Sequence, residues 1–119
     1  MTPNLIRNVV LAFTLFAASP AVFAEPKVPA TAEEHFALAK QYQDKAATFH
    51  KEAEEHRAMA AAYKNSAVNA QSSRGQKNPW VVKMEKHCAE IAATADKLSA
   101  ENTKAAEYHT FRGKELQGK

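Results

Sequence analysis

The sequence predicts an all-α protein: a long antiparallel helical hairpin with a coiled-coil-like, alanine-rich seam, pairing with a second copy into a four-helix bundle. Three observations carry this. Residues 31–112 hold one glycine, Gly75, and one proline, Pro79, while alanine recurs throughout, a composition that favours helix. Small and ring-bearing residues recur at alternating spacings of three and four on both sides of a break. The break, QSSRGQKN, gathers Ser, Gly and Asn as loops do.

Residues 1–24 read as an address. Arg7 gives a positive n-region, VVLAFTLFAA an apolar core, and Ala21-Val22-Phe23-Ala24 a small-residue cleavage site before Glu25. The apolar run is short for a membrane span and no charged stop-transfer cluster follows. The expectation is a cleaved secretory signal, a periplasmic destination and no stable membrane insertion after cleavage. The chain has no cysteine near the cut, which excludes lipid attachment there. Cleavage leaves roughly 95 residues, one small domain.

Residues 25–31 contain two prolines and form an extended leader to the hairpin, residues 32–117. Thr31 with Glu34 has the S/T-x-x-E form of a capping box, so helix 1 starts there and runs to about Ala70. A loop covers 71–78. Asn78-Pro79 pairs a good N-cap with proline at N1, where its missing N–H costs nothing. Helix 2 runs to about Arg112, with Gly113 as the expected stop.

The spacing picks out a seam. On helix 1 it is His35, Ala39, Tyr42, Ala46, Phe49, Ala53, His56, Ala60, Tyr63 and Ala67; on helix 2 it is Val81, Met84, Cys88, Ile91, Ala95, Leu98, Asn102, Ala105, His109, Arg112 and Leu116. A sustained 3.5-residue period implies left-handed supercoiled pairing. A slide of 52 residues aligns EEHFA with EKHCA and Asp44-Lys45 with Asp96-Lys97, a faint internal repeat. Two helices with alanine between them bury little, and so small a core is marginal alone. Phe36, Phe49, Ile91, Leu98, Tyr108 and Phe111 offer a second apolar flank, and a homodimer is the expectation.

The full chain has 16 basic and 13 acidic residues, net +3, mixed along its length. That excludes a nucleic-acid footprint. There is no Gly-rich phosphate loop, no C-x-x-C-H haem attachment, and no arrangement suited to catalysis; His87 and Cys88 are adjacent, about 100° apart on a helix, and do not form a nucleophile–base pair. A non-enzyme is expected. One cysteine in an oxidising compartment is buried, metal-bound or paired with another chain.

Two short motifs carry the chemistry that is left: His56-x-x-Met59 on helix 1 and Met84-x-x-His87-Cys88 on helix 2. Thioether, thiolate and imidazole suit Cu(I), and Zn(II) less well. The candidate metal set is therefore His56, Met59, Met84, His87 and Cys88. A turn centred at 74 sets Met59 against Cys88. A turn centred at 72 sets His56 level with His87 and Cys88, Met59 level with Met84, and His35 opposite His109. The bland alternative keeps the methionines as core fillers, Cys88 as a small hydrophobe and His56 as a packed ring. The chain is then a structural or protein-interaction module of the cell envelope.

The elements His56-x-x-Met59-Ala60-x-x-Tyr63 and Met84-x-x-His87-Cys88 resemble those of a group of small, exported, alanine-rich bacterial hairpin proteins. The resemblance spans most of the chain after the leader and implies a periplasmic helical hairpin. It brings no activity with it. His109-Thr110-Phe111-Arg112 stands where that group has a second H-R-x-M, so a second matching metal cluster is not implied.

Overall fold

The computed structural model describes residues 25–66 and 78–119. The expected signal, residues 67–70 with Ala67, and most of the 71–78 loop lie outside the described residues; helix 1 ends at Lys64 with Asn65 as its C-cap, short of the expected end near Ala70. Among the described residues two helices make up the fold, α1 over Ala32–Lys64 and α2 over Pro79–Gln117, about 50 Å and 58 Å long at the usual rise. They pack against each other as a hairpin. Among the described residues no helix is long and apolar enough to cross a membrane.

Both starts follow from side chains meeting the orphan N–H groups of a first turn. Thr31 Oγ1 accepts from Glu34 N at 3.2 Å, and Glu34 Oε2 accepts from Thr31 N at 3.2 Å and Ala30 N at 2.8 Å. Lys27 closes an ion pair on the same carboxylate. The Lys27 contact first, then the Ala30 and Thr31 N–H groups, pull the Glu34 carboxyl from 4.5 down to about 2. At α2, Asn78 Oδ1 accepts from Trp80 N at 3.0 Å, with Pro79 at the first helical position.

Alanine makes the core. Ala32, Ala39, Ala46, Ala53, Ala92, Ala95 and Ala106 are buried, together with Val81 and Cys88. Ala39, Ala46 and Ala53 recur every seven residues, with half-buried Tyr42, Phe49, His56 and Tyr63 between and beyond them. With no side chain longer than a methyl on that row, the backbones come close. Ser99 Oγ donates across the interface to Ala46 O at 2.8 Å.

The α1 seam has the expected residues; the α2 seam is half shifted. Val81, Cys88, Ala95, Asn102, His109 and Leu116 all turn inward as the spacing predicts. The second row is partly displaced: Ala92, Ser99, Ala106 and Gly113 lie inward beside half-buried Ile91 and Ala105, while Leu98 and Arg112 are exposed. The reason is steric. A backbone approach this close admits the smallest residue on each turn and turns the branched neighbours toward the flank.

Gly113 is not a stop. α2 continues through it to Gln117, and the Phe36 ring fills the space a side chain there would take. A Cβ there would sit 2.7 Å from Phe36 Cε1 and 2.9 Å from both Cδ1 and Cζ. Its role is close approach rather than an unusual backbone angle. At the opposite end Tyr63 and Trp80 meet edge to face, ring centroids 5.7 Å apart. Arg57 pairs with Asp96 between the helices.

Candidate functional site

Seam residues on the two helices face one another in the register expected for a turn centred at 72. His35 Nδ1 lies 2.9 Å from His109 Nδ1. His56 is three heptads along α1 from His35, and Cys88 three heptads back along α2 from His109. The same antiparallel register therefore sets His56 level with Cys88. Cys88 is a free thiol, 3% exposed. His56 is half-buried, and its Nδ1 is shielded from solvent with no hydrogen-bond partner. Such an orphan in a seam of methyl groups costs about 1–3 kcal/mol.

The five candidates do not share one position. His56 and Cys88 belong to the seam. Met84 is half-buried and His87 exposed; they line a shallow groove of about 460 Å³ with Lys83, Lys86 and Glu90. His87 also borders a second groove, about 270 Å³, where Phe49 and Glu52 of α1 meet Ile91 and Leu98 of α2. Met59 is 42% exposed and lies one heptad beyond Glu52 on the same edge of α1. The set thus divides into a buried thiol–imidazole level and a thioether-bearing flank beside it. Among the described residues no group of three or more His, Cys, Asp and Glu side chains converges as a metal would need.

The contact expected between His35 and His109 for a turn centred at 72 is formed at the open end of the seam. His35 and His109 meet with ring centroids 5.1 Å apart and planes at 34°. Tyr42 stacks on His109 at 5.5 Å and 8°, and Lys45 Nζ lies over the Tyr42 ring at 5.4 Å. Of the two registers the sequence allows, the one centred at 72 brings these two imidazoles together.

The chain matches no family model, no curated protein and no solved structure.

Proposed function

We propose that this chain is a periplasmic protein that binds or buffers a soft metal ion, Cu(I) ahead of Zn(II). The observation that supports this reading is the orphaned His56 Nδ1 level with the buried Cys88 thiol. A lone pair with no partner beside a potential thiolate is what a soft cation satisfies. Cys88 supplies the anionic ligand, His56 the imidazole and Met84, one turn before Cys88 on α2, a thioether. Met59 and His87 stand at the rim, where ions enter or are handed on. One thiolate, one imidazole and one thioether fall short of the four N, O or S donors of a structural zinc site, whereas Cu(I) accepts few, soft ligands. Competition with a colorimetric Cu(I) chelator should give a stoichiometry near one per reduced chain, and Cys88→Ala should lose most of the affinity. Equal binding by both proteins would falsify the assignment.

A second reading, a self-associating module of the cell envelope, draws on the outer surface. Trp80, Tyr108 and Phe111 are 59%, 71% and 65% exposed, and the core beneath them is mostly methyl groups. A second hairpin laid on this flank forms a four-helix bundle and adds the burial that two thin helices lack. The chain should then sediment as a dimer at micromolar concentration and melt at a lower temperature on dilution. A compact monomer with concentration-independent melting removes this reading.

A further inference from the structure

The open end of the hairpin is closed by two imidazoles whose Nδ1 atoms point at each other. At 2.9 Å the separation is that of a good N–H···N hydrogen bond. One ring must therefore donate through Nδ1–H while the other accepts. A metal fits less well: two metal–nitrogen bonds of about 2.0–2.1 Å at a tetrahedral angle place the nitrogens about 3.3 Å apart. No third His, Cys, Asp or Glu joins them among the described residues. What sits between these rings is a proton.

We propose that His35 and His109 form a pH-sensitive clasp between α1 and α2 that holds one extra proton well and a second one badly. The neutral pair makes an ordinary hydrogen bond. One added proton turns it into a charge-assisted bond from an imidazolium to a neutral imidazole, shorter and stronger than before. Stacking on Tyr42 at 8° makes His109 the favoured cation, because a ring face attracts positive charge. A second proton places N–H on both facing Nδ1 atoms. The bond is lost and two cations remain with centroids 5.1 Å apart.

The surrounding charges leave this balance to the pair. From α1 the neighbours are Tyr42, with Lys45 over its ring, and Glu34, already engaged by Lys27. From α2 the neighbour is Arg112, one turn beyond His109 and paired with Glu115. Among the described residues no carboxylate contacts either imidazole, so nothing neutralises the doubly protonated state. The sign follows from linkage. At the first step the folded chain binds more protons than the unfolded chain, so stability rises as pH falls. At the second step the unfolded chain binds more, and stability falls with further acid. The clasp is tightest at an intermediate pH, within the interval of about 5 to 8 where histidines change charge, and it opens the free end of the hairpin in acid.

Nitrogen-detected NMR of the metal-free, reduced chain tests this. His35 and His109 should titrate together in two steps separated by more than about one pH unit, bracketing the reference imidazole value of about 6.5. The difference in melting temperature between wild type and His109→Gln should pass through a maximum between about pH 5 and 8. Two independent single-step curves that superimpose on each other at about 6.5 overturn the proposal, as do parallel melting profiles for the two proteins. Should His109→Gln fail to fold, the titration of the wild-type chain decides alone.

Discussion

Two levels of the same seam, three heptads apart, solve one problem in opposite ways. At the open end His35 meets His109, each ring nitrogen answers the other, and Phe36 fills the space over Gly113. At the middle level His56 meets the height of Cys88, and its Nδ1 has no partner. The backbone register, the helix identities and the coil positions are alike. Only the α2 residue differs, an imidazole in one case and a thiol in the other. A seam position in this hairpin is therefore either structural or chemically open according to one side chain. The open one is where a ligand gains most.

The comparison can be broken first at its satisfied end. Gly113→Ala removes the cost of a mid-helix glycine, about 1 kcal/mol, but drives a methyl into the Phe36 ring, and overpacking costs about 1–3 kcal/mol. The net result should be a loss of up to about 2 kcal/mol in chemical denaturation. In a Phe36→Ala background the clash is gone, and the same Gly113→Ala change should stabilise. That reversal of sign in a double-mutant cycle ties the end of the hairpin to this one contact. A Gly113→Ala effect of the same sign and size in both backgrounds would remove it.

A smaller effect sharpens the same comparison at the start of α1, four residues before His35. Thr31→Ala should cost about 1 kcal/mol by freeing the Glu34 N–H. The Glu34 carboxyl is held at about 2, against 4.5 unfolded, chiefly by Lys27 and then by the Ala30 and Thr31 N–H groups. Its contribution is present above about pH 4.5 and fades as pH falls toward 2. Glu34→Gln should therefore flatten the acid limb of the melting profile, and salt should weaken the wild-type advantage because the group is exposed. An unchanged acid limb in Glu34→Gln would leave the capping box without an electrostatic role.

Much of this was legible in the sequence, for reasons that also explain the exceptions. The capping box, the Asn78-Pro79 start and the α1 seam rest on local spacing and backbone chemistry, which one chain displays by itself. The α2 seam was half legible. The row from Val81 to Leu116 repeats every seven residues, while Leu98 was drawn into the other row because apolar size usually marks burial, although it is 41% exposed. Where alanine brings backbones together, size counts against burial, and Ala92, Ser99, Ala106 and Gly113 take the inner positions. Gly113 shows the same limit: a glycine reads as a stop until the ring that needs its missing Cβ is placed beside it. For the candidate site, His56 and Cys88 were found from residue type and register. The division between seam and flank needed the angular position of each side chain, which motif spacing alone does not fix.

On the proposed metal reading, the His56 level is unsatisfied in the metal-free chain and a soft ion completes it. Four thermal melts test it most directly: reduced wild type and His56→Ala, each with and without Cu(I). The account predicts that the metal-free variant is as stable as wild type or more so, by up to about 1 kcal/mol, since an orphaned nitrogen is exchanged for the best helix former. It also predicts that Cu(I) at a hundredfold excess over Kd stabilises the wild type by about 2.7 kcal/mol and the variant by little. A variant about 1–3 kcal/mol less stable without metal, and stabilised by Cu(I) as much as the wild type, contradicts it.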